Sequence, residues 1–150
     1  MRYYEDIEIG ETNEYGEYHV TKEEIIEFAE QYDPQPFHVD EDAAEESAFG
    51  ELVASGWHTA AMCMRMLVDG PIEERASMGA RGVDELRWKQ PVKPGDILSI
   101  RTEILDKRVS ESDPRRGYVD SRLEGVTHND DVVISWIGLG MIALRNPNDA

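Results

Sequence analysis

The segment Ala60–Val68 constrains the fold most. It reads Ala-Ala-Met-Cys-Met-Arg-Met-Leu-Val and is apolar on every side except at Arg65. A helix without a polar face is expected in the middle of a protein, with other parts of the chain around it. Ser55-Gly56-Trp57-His58-Thr59 leads into this run, with Ser55 as a suitable N-cap. Asp69-Gly70-Pro71 ends it. Met62, Met64 and Met66 read as core side chains rather than as a cofactor-binding box.

What surrounds this helix is written downstream. After Gly82 the apolar pattern changes to a period of two, with Leu86 and Trp88 alternating with charged residues. Leu98, Ile100, Thr102 and Ile104 alternate in the same way, and Val119, Ser121 and Leu123 form one face of a third strand. Val132–Leu144 is a long β-branched-rich strand, interrupted by Ser135 and too short to cross a bilayer as a helix. Its apolar residues on both faces predict cover on both sides. Gly138 and Gly140 inside it predict a bulge or a close backbone approach. Pro94-Gly95-Asp96, Arg115-Arg116-Gly117 and Asn129-Asp130 read as turns between strands.

Upstream, the spacing predicts a helix over Lys22–Gln31. Thr21 and Glu24 match a capping box, and Val20 and Ile25 match a hydrophobic staple. Ile25, Phe28, Ala29 and Tyr32 form its apolar face. Pro34 stops it near Asp33. Asp33-Pro34-Gln35-Pro36-Phe37-His38 reads as a stiff, extended turn. A short helix follows Asp40, runs through Ala43–Ser47 and ends near Gly50. The expected class is therefore α+β, an antiparallel sheet wrapped around a central helix, in one domain over residues 1–150. The outer face and free edges of such a sheet favour a dimer.

Charge narrows the function. The chain carries 15 basic against 32 acidic residues, a formal net charge of −17. Such a field repels nucleic acid and anionic lipid surfaces alike. The basic residues are 11 Arg and 4 Lys. Abundant carboxylates with scarce Lys suit a salt-rich cytosol, in which self-repulsion is screened; an ordinary acidic protein is the alternative. The single cysteine, Cys63, excludes a disulfide within the chain and reads as a small buried hydrophobe. The segment Met1–Glu11 has no apolar stretch of the signal-peptide kind, so a cytoplasmic location is expected.

Asp33 and His38 are the most informative pair, set on either side of two prolines. Such a turn can bring a carboxylate and an imidazole into one small space, where His can exchange a proton near neutral pH. A turn cap and a structural histidine fit the same spacing. Ser55-Gly56 is the second feature. The first amides of a helix lack internal partners and can hold an oxyanion, and Gly56 would allow close approach. A plain cap with glycine chosen for packing is the alternative. No metal is expected, because His38, Asp40 and His58 lack a Cys cluster or an HExxH pattern. No Gly-rich nucleotide-binding motif occurs. Arg81, Arg87, Lys89 and Lys93 are either a landing site for a charged substrate tail or a solvated strand face. His19 and His128 read as surface residues.

Together these features resemble the MaoC-like hydratases, the (R)-specific enoyl-CoA hydratases with a hotdog fold, over nearly the whole chain from the Tyr4 region to Leu144. The family's Gly-Asp-x-Asn-Pro-x-His, followed after five residues by a small one, corresponds to Tyr32-Asp33-Pro34-Gln35-Pro36-Phe37-His38 and Ala44. Its His-Gly before the central helix is Ser55-Gly56, and Gln90-Pro91-Val92 with Pro94-Gly95-Asp96 match its strand-entry pattern. Tyr32, Gln35 and Phe37 depart from the signature and are expected to border the site, suggesting a distinct acyl preference. The resemblance implies that Asp33 and His38 activate a water, which adds to the β-carbon of a trans-2-enoyl-CoA. The Gly56 amide would hold the enolate-like thioester oxygen, and the acyl chain would lie along the apolar helix. Gln35, Ser55, Trp57 and His58 are expected to contact substrate. It implies no cofactor and a homodimer or higher homo-oligomer. A hotdog thioesterase, a catalytically silent acyl-thioester-binding subunit and a hydratase of branched or dicarboxylic acyl-CoA are the competing readings.

Overall fold

A computed structural model of the chain describes residues 1–147, so the expected domain end at residue 150 lies outside the described residues. Five strands form one antiparallel sheet in the order β1 (Thr12–His19), β3 (Ile97–Val109), β4 (Arg116–Thr127), β5 (Val132–Ala143), β2 (Ser77–Trp88). The sheet curves around helix α4 (Gly56–Asp69). Met62, Cys63 and Met66 of α4 share one buried cluster with Leu98, Ile100, Leu123, Val133, Ile134 and Trp136 of the sheet. Each fully buried Leu or Ile contributes roughly 1.5–3 kcal/mol, so this contact outweighs any single polar interaction in the molecule. This is the hotdog architecture, α+β as expected.

The alternation in β3 holds residue by residue: Leu98, Ile100, Thr102 and Ile104 are all buried. Cys63 is fully buried against Gly125 of β4, where a β-carbon would come within 2.7 Å of its Sγ. Burial pushes its thiol up to about 12.

Several elements differ from expectation. Strand β1 is polar and exposed, so it carries no apolar period and was not expected. Gly117 lies inside β4 rather than in a turn; the Tyr4 ring packs where its side chain would stand. Strand β2 begins at Ser77, before the alternation does, and its pairing with β5 shifts register three times. Helix α4 is covered on one side only, with Ala61, Met64, Arg65 and Val68 exposed within this chain. Strand β5, expected to be covered on both faces, has both Val133 and Ile134 buried at its start, but farther along Ile137, Leu139 and Met141 remain half-buried while Trp136 and Ile142 are buried.

Helix α1 (Lys22–Tyr32) is capped by Thr21, whose side chain accepts from the Glu24 amide. The reciprocal arm of the capping box is absent: the Glu24 carboxylate turns instead to Tyr18 and His58. Val20 and Ile25 are both buried. The stretch expected to be extended contains a short helix, α2 (Pro36–Val39), because Pro36 at its first position is preset for helical geometry. Asp40 caps α3 (Glu41–Glu45) by accepting from the Asp42 and Ala43 amides. Among the described residues, no helix is long and apolar enough to cross a membrane.

Candidate active site

Asp33 is the C-cap of α1 and His38 sits on α2, one turn beyond. The two side chains converge, with His38 Nε2 3.4 Å from Asp33 Oδ2. His38 is 6% exposed. Its Nδ1 lies 2.6 Å from the Val53 carbonyl oxygen, which can only accept, so Nδ1 carries the hydrogen. In the neutral ring the bare nitrogen is then Nε2, aimed at Asp33. The Val53 carbonyl is held in place because its own amide donates to Phe37 O (3.3 Å) and the next amide, Ala54, donates to Val92 O (2.8 Å).

Asp33 is oriented from both sides. Ser55 Oγ donates to Oδ2 and Gln35 Nε2 donates to Oδ1, each at 2.7 Å. Burial pushes the Asp33 carboxyl up, but the hydrogen bonds from Gln35 and Ser55 and the nearby His38 outweigh it, so the group titrates below its ordinary value. A folded-state pKa below the unfolded one adds stability that is present above the unfolded value and lost as pH falls through the folded one. Replacing Gln35 with Leu is expected to raise the Asp33 titration midpoint, measured by carboxyl-carbon NMR. An unmoved midpoint would contradict the assigned hydrogen bond.

Helix α4 begins beside this pair. Ser55 is fully buried, and its hydroxyl accepts from the Trp57 amide (3.2 Å) while donating to Asp33. Ser55 thus holds the carboxylate and the helix end together. The Gly56 amide occupies the first helical position, where no intrahelical acceptor exists. Trp88 of β2 donates its indole N–H to the Gly56 carbonyl at 2.8 Å, and its ring fills the space where a Gly56 side chain would stand. Trp57 packs edge-on against it, with centroids 4.9 Å apart. Asp33, Gln35, Phe37, His38, Gly56 and Trp57 line one cleft of about 400 Å³. Phe37 and Phe49 form a second aromatic wall, with rings 5.2 Å apart. Thr59, Lys89 and Gln90 also face the cleft.

The structure thus brings together Asp33, His38, Gln35, Gly56 and Trp57, with Ser55 behind the carboxylate. His58 is not among the cleft's lining residues; it turns to Glu24 of α1. Tyr32, expected to border the site, lies outside the cleft and is 70% exposed. The basic stretch does not form one patch. Arg81 pairs with Asp120 and stacks on Tyr118, Lys93 reaches Glu51, and Lys89 alone of the four faces the cleft. His19 and His128 are exposed. The Val53 carbonyl and Trp88 are contributors that no local motif marked.

The cleft has a carboxylate, an imidazole with a bare nitrogen and a helix-terminal amide that has no acceptor among the described residues, a set suited to adding or removing water next to a carbonyl. Residues 6–124 match the family described as the MaoC like domain. The chain belongs to the MaoC-like domain family. It is 32% identical over 109 residues to the protein MaoC of Klebsiella aerogenes, covering 72% of this chain but 32% of that protein. It is 30% identical over 109 residues to the 3-hydroxybutyryl-CoA dehydratase of Methylorubrum extorquens, covering 69% of this chain and 64% of the dehydratase. The chain therefore spans less than two thirds of the length of these two relatives. The crystal structure of a MaoC-like dehydratase from Rhodospirillum rubrum superposes with a TM-score of 0.89 at 36% identity, covering 97% of this chain and 99% of that one. The family membership supports hydratase or dehydratase chemistry in general terms.

Proposed function

We propose that the protein hydrates trans-2-enoyl-CoA to (R)-3-hydroxyacyl-CoA and runs the reverse dehydration with the same groups. The observation that carries this is the convergence of Asp33, His38 and the Gly56 amide on one cleft. A water between Asp33 Oδ2 and His38 Nε2 donates one hydrogen to each. Its oxygen forms the bond to the β-carbon while His38 Nε2 takes the proton. The alkene electrons move onto the thioester oxygen, which accepts from the Gly56 N–H. The pair then returns a proton to the α-carbon, and the carbonyl re-forms. General acid–base help contributes roughly 10²–10⁴-fold and one oxyanion donor about 10²–10³. The thiol ester stays intact throughout, and this separates the reading from a thioesterase. Lys89 at the rim is a cation suited to the coenzyme's phosphates. Tyr32 stands outside the cleft, so its replacement of the family glycine gives no support to a silent binding subunit.

A homodimer completes this reading. Strand β2 is a 12-residue edge with no buried residue. Beside it an apolar groove of about 270 Å³ runs between Met64 and Val68 of α4, Val83 of β2 and Met141 of β5. A second copy would cover both. Sedimentation velocity in molar KCl is expected to give a two-chain species, and Val83→Glu a single chain; a monomeric wild type would overturn the dimer. The acidic, Lys-poor composition supports a salt-rich cytosol as the setting.

The deciding experiment is crotonyl-CoA hydration in molar KCl, followed by loss of the conjugated thioester absorbance with a thiol reagent read in parallel. Loss of absorbance without thiol supports the hydratase. Thiol release moves the assignment to thioesterase. If neither occurs, branched and dicarboxylic enoyl-CoAs come next, and silence across the panel would favour the binding subunit.

A further inference from the structure

Helix α1 grips the first turn of α4 at two points. At its C-terminal end, Asp33 accepts from Ser55. Near its start, Glu24 Oε1 lies 3.2 Å from His58 Nε2, and the Tyr18 hydroxyl of β1 donates to the same oxygen. Between them, Phe28 stacks on the His58 ring, with centroids 4.7 Å apart and planes at 9°. His58 is 3% exposed and its Nδ1 is buried without a partner among the described residues. Because Nε2 faces a carboxylate, it carries the hydrogen and Nδ1 is bare. Burial holds the imidazole below its ordinary pKa against the opposing pull of Glu24, so the ring is neutral at neutral pH. An apolar side chain would fill this space without stranding a nitrogen. What only the imidazole provides is a directed hydrogen bond from α4 to α1.

Ser55–Asp33 and the Trp88 bond to the Gly56 carbonyl hold the first turn of α4 at its start. The His58 contact adds a second hydrogen bond to α1, and two separated hydrogen bonds resist rotation of that turn where one does not. We infer that Glu24 and His58, steadied by Tyr18, form a clamp that fixes the rotation of α4 and thereby aims the Gly56 amide at the thioester oxygen of a substrate lying beside Asp33 and His38. This rests on the hydratase reading of the cleft. Glu24 and His58 are positioning residues, since both lie outside the cleft lining.

Two measurements on the full chain test it. In ¹⁵N–¹H spectra, Glu24→Ala is expected to shift the Gly56 amide signal. Glu24→Gln, whose carbonyl oxygen accepts from the same two donors, returns it. In crotonyl-CoA hydration, Glu24→Ala is expected to lower kcat about tenfold, a loss on the scale of a sub-ångström misplacement, with KM within about twofold; Glu24→Gln restores kcat. An unmoved Gly56 signal with an unchanged kcat would overturn the clamp, even if the melting temperature falls. A wild type that hydrates no enoyl thioester would sink the hydratase reading, while the Gly56 signal would still decide the clamp. Should Glu24→Ala fail to fold, Tyr18→Phe removes one hydroxyl and is expected to move the signal in the same direction by less; no movement would again overturn the clamp.

Discussion

Replacing His38 with alanine is expected to lower kcat for enoyl-thioester hydration by at least about 10², and Asp33→Asn to do the same. The reasons differ. His38→Ala removes the bare Nε2 that takes the proton, and it also leaves the Val53 carbonyl without its buried donor, at a cost of about 1–3 kcal/mol. Asp33→Asn keeps the shape. It removes the negative charge, and its amide nitrogen has to face one of two donors, Gln35 Nε2 or Ser55 Oγ. Circular dichroism and steady-state kinetics on both variants separate folding from chemistry. A folded variant of either kind with near wild-type turnover would exclude the pair from the reaction.

The second large effect is expected at Gly56. A methyl group there would stand 2.5 Å from Trp88 Cε2 and 2.6 Å from Nε1. The indole is 45% exposed, so it can retreat only by giving up its N–H bond to the Gly56 carbonyl and its contact with Trp57. Gly56→Ala should therefore cost about 1–3 kcal/mol through overpacking. It should also lower kcat about tenfold or more, because the oxyanion donor moves with the strained turn. Trp88→Ala clears the space. In that background the stability cost of Gly56→Ala should largely vanish, and a double-mutant cycle by denaturant titration measures the coupling. Equal costs in both backgrounds would mean that the glycine serves something other than the Trp88 contact. Here the packing and oxyanion explanations of Gly56, alternatives at the level of sequence, apply to opposite sides of one residue: its α-carbon faces Trp88, and its amide is free of the helix.

Helix α4 was legible from its apolar run, although this chain covers only one of its sides, and β3 because every second residue from Leu98 to Ile104 is buried. The polar edge strand β1 has no such signature, since solvent rather than core lies on its side chains. The Asp33–His38 pair was legible from residue types and the double proline, but the helical form of α2 was not. A proline at the first position of a helix and one in an extended turn look alike in sequence. His58 stood two residues from Gly56 and so was expected at the site. Successive helical residues turn about 100°, which carries His58 round to α1 instead. The Val53 carbonyl and the Trp88 indole act across 15 and 32 residues of chain through single hydrogen bonds, and such contacts leave no period to read.

The placement of Cys63 has a practical consequence. As the chain's one thiol, sealed beneath Gly125 and held protonated, it is invisible to a thiol reagent while the core is closed. A colour signal in the hydration assay therefore comes from released coenzyme, with no background from the folded enzyme. Without substrate, the same reagent becomes a clock for the protein itself. The rate at which Cys63 is labelled reports how often the sheet parts from α4, read at any salt concentration from a single native atom.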